Sequence, residues 1–247
     1  MIKGIYASAI GMIPNKLKIE IIANNLANID TTGFKKDDIF IRILENAVLD
    51  INKSGGDELS GLLITKYTSF EQGNLKQTGN PFDLALNGKG FFVIQTPNGL
   101  RYTRNGSFTI AEDGTIVNSN GHALIGSNGA IKFPDITKLE NLEIKITKNG
   151  EIYVGDRLID KIRVVWFEDL SRLKKEESNY FFVDESSGEV ELAKEFEIFQ
   201  GFLEGSNVNP IEEMVKMIEA SRIYEANYKM VQHQDETLTK INEAGKL

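Results

Sequence analysis

Cysteine is absent from the 247 residues. That excludes disulfide staples, thiolate metal sites and thiol nucleophiles together, and it leaves the compartment open. Histidine occurs only as His122 and His233, which leaves little imidazole for acid–base work. Tryptophan occurs once, at Trp166, and proline five times. No window approaches the roughly 18 uninterrupted apolar residues of a membrane span, so a spanning helix is not expected. The opening Met1-Ile2-Lys3-Gly4-Ile5-Tyr6 lacks the basic region and apolar block of a secretory leader, so signal-peptide export is not expected either. Basic clusters are also missing. Lys and Arg total 28 against 36 Asp and Glu, a formal charge of −8, and such a balance argues against nucleic acid as a partner.

What is present differs between the ends and the middle. Ile2, Ile5, Ala9, Met12, Lys16, Ile19, Ala23 and Leu26 recur at alternating threes and fours, the seam of a helix made to pack on another helix. Pro14 interrupts it and predicts a lost backbone bond or a kink. A second stripe, Ile10, Ile13, Leu17, Ile21 and Asn24, gives the helix two adhesive faces. Near the other end, Asn209-Pro210 predicts a helix start, with Asn as cap and Pro at the first turn. Met214, Met217, Ser221, Tyr224, Tyr228, Val231, Asp235 and Leu238 then keep the three–four spacing.

Between these ends the period changes to two. Short strands are predicted around Phe91–Ile94, Phe108–Ile110, Ile116–Val117, Ala123–Ile125, Ile144–Ile146, Ile152–Val154 and Ile162–Trp166. Seven dipeptides, from Asn87-Gly88 to Asn149-Gly150, supply the positive φ that tight hairpins need. The expected fold class is α+β: long amino- and carboxyl-terminal helices packed as a coiled-coil-like pair, with an inserted antiparallel all-β domain. The expected domains are 1–35 with 205–247 as a discontinuous helical assembly domain, 36–74 as a connecting segment and 75–204 as a β-rich outer domain. Residues 50–61 read as an exposed loop, and the acidic run 166–199 as a solvated face. Paired terminal helices of three to four heptads are marginal alone, so the ends are expected to order when subunits stack.

No catalytic constellation is found. A Ser/His/Asp triad would need His122 beside a hairpin turn or His233 in the terminal seam. Gly88-x-Gly90 lacks a third glycine and a following helix, and Walker, EF-hand and HExxH patterns do not occur. Glu176-Glu177 lies in the acidic run with nothing to separate two carboxyl pKa values. No cofactor, metal or small-molecule substrate is expected.

Several blocks are more specific. Ala23-Asn24-Asn25-Leu26-Ala27-Asn28 precedes Thr31-Thr32-Gly33-Phe34-Lys35. Phe70-Glu71-Gln72-Gly73-Asn74-Leu75 runs to Asn80-Pro81-Phe82-Asp83-Leu84-Ala85-Leu86-Asn87-Gly88-Lys89-Gly90-Phe91-Phe92, and Tyr102-Thr103-Arg104-Asn105-Gly106-Ser107-Phe108 follows. The carboxyl end carries Leu203-Glu204-Gly205-Ser206-Asn207-Val208, Glu213-Met214-Val215-x-Met217-Ile218 and Arg222-x-Tyr224-Glu225-x-Asn227. In order and spacing these blocks resemble the bacterial flagellar basal-body rod and hook proteins. Length, Gly205-Ser206-Asn207-Val208-Asn209-Pro210 and Gly121-His122-Ala123-Leu124-Ile125-Gly126 are most similar to the proximal-rod subunit, with the distal-rod subunit second.

The resemblance implies a self-assembling structural subunit of the periplasmic rod, exported through the flagellar type III apparatus, with other rod subunits and copies of itself as partners. Terminal helices would line the tube and transmit torque. The residues expected at subunit interfaces are Ile5, Met12, Ile19, Asn24, Asn25, Leu26, Asn28, Gly33, Phe34, Asn207, Met214, Met217, Arg222, Tyr224, Tyr228, Val231 and Leu238. Gly33 is expected to end the first helix, and the three asparagines to bond to neighbouring chains. Phe40 and Leu44 fall where the family carries a short export motif, with packing as the alternative role. A periplasmic glycan-binding or wall-active protein, or a cytoplasmic coiled-coil adaptor, are the rival classes; the first needs aromatic platforms and paired carboxylates.

Overall fold

The Asn209-Pro210 start does what its chemistry predicts. In the computed structural model, Asn209 Oδ1 accepts from the backbone N–H of Ile211 at 3.1 Å and of Glu212 at 3.4 Å, opening helix α2, Pro210–Ala244. Helix α1 spans Ile2–Ala27 and continues through Pro14. Proline removes one rung there, and the Asn15 side chain adds a donor to the Gly11 carbonyl at 2.8 Å. The structure describes residues 2–43, 62–133, 144–176, 179–183 and 191–244, with backbone alone at 2–10, 42, 43, 62 and 242–244. The expected loop 50–61 lies outside the described residues.

The chain forms two compact units. One holds Met1–Ala27, Asp37–Ser69 and Val208–Leu247; the other holds Asn28–Lys36 and Phe70–Asn207. Residues 28–36 therefore go with the β body, and 37–69 go with the helices. In the first unit α1 packs on α2 and on strand β1, Asp37–Ile43, which pairs antiparallel with β2, Leu62–Thr68.

The second unit is built on a large antiparallel sheet in the order Lys174–Glu176, Tyr180–Phe182, Gly99–Thr103, Phe91–Thr96, Ala123–Gly126, Ile116–Asn118, Phe108–Ile110. Smaller sheets join Ile144–Ile146, Glu151–Val154 and Arg157–Lys161, pair Leu84–Gly88 with Phe196–Gln200, and pair Leu75–Gln77 with Phe202–Glu204. The class is α+β with antiparallel strands. Phe92 and Ile94 enter one apolar cluster, while Phe91 and Val93 enter another. This strand is thus buried on both faces, as its unbroken apolar run allows.

The acidic run corrects one expectation. Phe167, Leu173, Tyr180, Phe181 and Ile198 are all buried, so the segment supplies core as well as solvated surface. Composition averages over alternate positions, and on a strand those positions face opposite ways.

Two glycines show different constraints. Gly121 has φ +78° with open space where a Cβ would stand, so its demand is conformational. Gly106 has no positive φ, but a Cβ there would lie 1.6 Å from the Leu84 carbonyl oxygen. Leu84 N–H also donates to the Gly106 carbonyl at 2.9 Å, which fixes the approach. Gly121→Ala is expected to cost about 1–2 kcal/mol. Gly106→Ala is expected to exceed about 4 kcal/mol, because backbone must move. Urea unfolding of both variants checks the order.

Candidate assembly surfaces on the terminal helices

A helix pair is held by whatever repeats at its seam. On α2 the positions withdrawn from solvent run Glu213, Met217, Ala220, Tyr224, Asn227, Val231, Gln234 and Leu238, alternating four and three, with Lys216 and Ser221 at the margin. Met217, Tyr224, Val231 and Leu238 sit in this seam. Met214, Tyr228 and Asp235 do not; they are exposed, and so is Arg222. The second track is polar or small, and counting hydrophobic residues shifts it by one position onto 214, 221, 228 and 235. A similar displacement occurs on α1. Pro14, Ile21, Ile22 and Asn25 are buried, Met12, Ile19 and Leu26 are half-buried, and Lys16, Ala23 and Asn24 are exposed. Gly11 faces Asn227, whose Nδ2 would be 3.3 Å from a Cβ at that glycine. The side chain of Ile5 lies outside the described residues.

Asn25 was expected to bond to a neighbouring chain, and the structure assigns it partners in its own. The residue is 1% exposed. Its Oδ1 accepts from Asp37 N–H at 3.0 Å, and its Nδ2 donates to the Asp37 carbonyl at 2.8 Å and to Glu213 Oε2 at 3.1 Å. The amide so copies one residue of a strand partner, which suits a side chain carrying both donor and acceptor. Asp37 in turn accepts from Thr68 Oγ1 at 2.7 Å and pairs with Lys66 at 2.9 Å. One cluster joins the end of α1, the start of β1, the end of β2 and the start of α2.

The segment after α1 is fixed within the second unit. Asn28 accepts from Thr31 through its carbonyl at 3.2 Å and through Oδ1 at 3.1 Å, making a tight turn. Gly33, expected to stop the helix, lies six residues beyond Ala27. Its φ is +66°, a Cβ would lie 2.4 Å from the Asn105 nitrogen, and its N–H donates to the Glu204 carbonyl at 2.8 Å. Phe34 is buried, with the Lys175 ammonium 3.9 Å from its ring centroid. Asn207 Oδ1 accepts from Lys36 N–H at 2.8 Å, and Nδ2 donates to the Glu71 carbonyl at 3.1 Å.

Beside these lies a buried ionic cluster that sequence inspection did not single out. Lys35 and Glu204 are 0% exposed and 2.6 Å apart. Lys35 Nζ also donates to the Glu71 carbonyl at 2.6 Å, while Glu204 accepts from Gly73 N–H at 2.9 Å and Arg104 Nη1 at 3.3 Å. Arg104 Nη2 donates to the Gly88 carbonyl at 2.7 Å. Burial pushes the pKa of both Lys35 and Arg104 down, and the Glu204 carboxylate opposes the shift. Lys35, Glu71, Gly73, Gly88, Arg104 and Glu204 all belong to the blocks quoted above; their shared destination was the missing information.

His122 is drawn into the β body. Asn118 and Asn120 amides donate to the Tyr180 hydroxyl oxygen at 2.7 and 2.8 Å, so the phenolic proton is left to point at His122 Nδ1, 3.1 Å away. Phe40 is exposed on β1, and Leu44 lies outside the described residues. Among the described residues no cluster of three or more His, Asp or Glu could hold a metal, and no helix is long and apolar enough to cross a membrane.

Both networks predict an asymmetry. Glu204→Gln leaves two buried cations without their anion and is expected to cost about 3–5 kcal/mol. Lys35→Met leaves Glu204 paired with Arg104 and is expected to cost less, as denaturant midpoints will show. Asn25→Leu strands the Asp37 amide and is expected to cost about 2–4 kcal/mol, summing over lost partners. Ala23→Ser, on the exposed face, is expected to stay within about 0.5 kcal/mol.

Three family models match the chain: Flagella basal body rod protein over residues 5–35, Flagellar hook protein FlgE/F/G D1 domain over 85–154, and Flagellar basal body rod FlgEFG protein C-terminal over 200–244. The chain is similar to the flagellar basal-body rod protein FlgF of Caulobacter vibrioides, 34% identical over 216 residues that cover 87% of this chain and 86% of that one. It is also similar to FlgG of Buchnera aphidicola subsp. Acyrthosiphon pisum, 31% identical over 98% of this chain and 100% of the relative. FlgG of Bacillus subtilis is 28% identical, with 98% of each chain covered. With matches at both helices and in the β body, and with identity and coverage at these levels, the chain belongs to the flagellar basal-body rod protein family.

Proposed function

We propose that this rod-family chain works as a structural subunit, without a chemical reaction, by burying the outer faces of α1 and α2 against other rod subunits and further copies of itself. The observation that carries it is the apolar surface the two helices keep in solvent after pairing: Ile13 on α1, and Ile211, Met214, Val215, Ile218 and Met230 on α2. Ile211, Met214, Val215 and Ile218 lie at i, i+3, i+4 and i+7 on one stripe of the helix, and an exposed apolar stripe of that kind marks a protein–protein contact. Copies joined through unlike surfaces give an open helical assembly, and close-packed helices resist deformation under torque. The terminal helices then act as a coiled-coil-like assembly module carrying the β body.

The proximal section of the rod is the proposed position, supported by the short connection between Phe34 and Phe70 and the overall length. The distal section is the alternative. The glycan-binding rival is less favoured by Trp166, the single tryptophan, which stacks on Phe91 at 6.2 Å with the Lys89 ammonium 5.7 Å from its ring. A subunit-resolved map of purified basal bodies tests the proposal. The chain is expected in the proximal rod; its absence from the rod would remove the structural assignment. For export through the flagellar type III apparatus, exposed Phe40 is the proposed contact. Phe40→Ala is expected to reduce secretion several-fold, and undiminished secretion would end that role.

A further inference from the structure

The chain's only sulfur is thioether sulfur: cysteine is absent, and the methionines are Met1, Met12, Met214, Met217 and Met230. A two-electron oxidant such as a peroxide attacks thiolates and thioethers, so its sulfur targets here are methionines alone. Helix α2 carries three of the five and sorts them by face. Met217 is half-buried in the seam that also holds Tyr224 and Val231. Met214 and Met230 stand outside that seam, 53% and 52% exposed. Met12 on α1 is half-buried as well. Among the described residues, the open sulfurs therefore lie on the surface that the rod-subunit proposal assigns to assembly.

We infer that Met214 and Met230 are modification sites: oxidation of either thioether to the sulfoxide in the unassembled chain removes that chain from the pool able to join the rod. This rests on the rod-subunit proposal above and adds a regulation of its assembly surface. The co-reactant is a peroxide. A lone pair of the sulfur attacks one oxygen of hydrogen peroxide and the O–O bond breaks. The departing hydroxide takes the proton of the transferred hydroxyl, so the products are a sulfoxide and water. Sulfur loses two electrons, peroxide gains them, and no further reagent is needed.

The added oxygen changes polarity and leaves the helix backbone alone. Met214 lies within one turn of Ile211, Val215 and Ile218, all exposed and none with a side-chain donor. In water a sulfoxide oxygen there is hydrated. Once the stripe is dry it has lost its water, and a buried acceptor without a partner is costly. At Met230 the reason differs. This residue shares a groove with Lys229, His233 and Gln234, and Gln234 Oε1 is already buried without a hydrogen-bond partner. A sulfoxide oxygen adds a second acceptor that competes with Gln234 for the same donors. Met217 is the internal comparison. A polar group in the seam weakens the chain's own helix pair, so position around α2 decides which property responds to oxidation.

Two experiments test the sites and their consequence. The purified full chain is treated with hydrogen peroxide, and each methionine is followed by peptide mass spectrometry. Met214 and Met230 are expected to gain one oxygen at least about fivefold faster than Met217, because susceptibility follows exposure. Equal rates at the three positions overturn the assignment. Cells are then made to produce two chains together, the natural one and a double variant, Met214→Leu with Met230→Leu, which keeps apolar side chains that peroxide does not oxidise. The ratio of the two in isolated basal bodies is measured with and without peroxide during flagellar growth. Both chains meet the same oxidised neighbours, so only positions 214 and 230 separate them. Peroxide is expected to shift the ratio at least about threefold toward the leucine chain. An unshifted ratio overturns the inference. Met214→Gln and Met230→Gln, which place a polar amide where the sulfoxide would be at similar helix propensity, are each expected in basal bodies at least about threefold less than the leucine variant of the same position. Equal incorporation of the Gln and Leu variants overturns the inference and spares the rod assignment; absence of the natural chain from basal bodies removes both.

Discussion

The β body depends on one carboxylate. Glu204 is buried, and within hydrogen-bond distance it gathers Lys35, Arg104 and the backbone of Gly73, while its own carbonyl receives Gly33. Four stretches distant in sequence therefore meet at one residue. A buried charge is tolerated only when its lone pairs are filled, and the surrounding backbone is placed to fill them. Two cations around one anion also leave excess positive charge under the surface. The Glu71 and Gly88 carbonyls disperse it, and the Phe91 ring, 5.3 Å from the Arg104 guanidinium carbon, adds its negative face. Exchange of apolar groups alone would not specify which segments meet here; the fork of Arg104 and the single point of Lys35 do.

The helical unit follows a different rule. Its seam is mixed: Met217, Tyr224, Val231 and Leu238 on one track, Glu213, Ala220, Asn227 and Gln234 on the other. Polar residues inside a helix seam lower its strength and fix its register, because a slip of one position would bury amides and a carboxylate without partners. The strongest apolar surface is left outside. A helix pair of this composition is a modest fold alone and a well-registered component in a larger bundle.

How much of this was legible in the sequence depended on the kind of signal. Asn209-Pro210 names a helix start through local chemistry, and the structure places the cap there. Asn98-Gly99, Asp113-Gly114, Asn120-Gly121, Asn128-Gly129 and Asn149-Gly150 locate hairpins, since positive φ is a property of one residue; Asn87-Gly88 and Asn105-Gly106 do not, because the strands on either side of each pair elsewhere, and Gly106 has no positive φ. The unbroken apolar run Phe91-Phe92-Val93-Ile94 is that of a strand buried on both sides. Where partners lie far apart in sequence, the signal fails. Asn25 looks like helix-end polarity until Asp37 and Glu213 are seen around it. Gly33 looks like a helix stop because the close approach of Asn105 leaves no trace in residues nearby. Lys35 and Arg104 look like ordinary surface cations. The shifted seam has the same origin: apolar counting finds stripes on α1 and α2 but not the face at which two helices agree to put Gly11 against Asn227.

The Tyr180 hydroxyl has one further implication. Its oxygen already receives two amide protons, and its own proton is committed to Nδ1 of His122. One hydroxyl therefore ties the hairpin that turns at Gly121 to the strand Tyr180–Phe182, which is not its neighbour in the sheet.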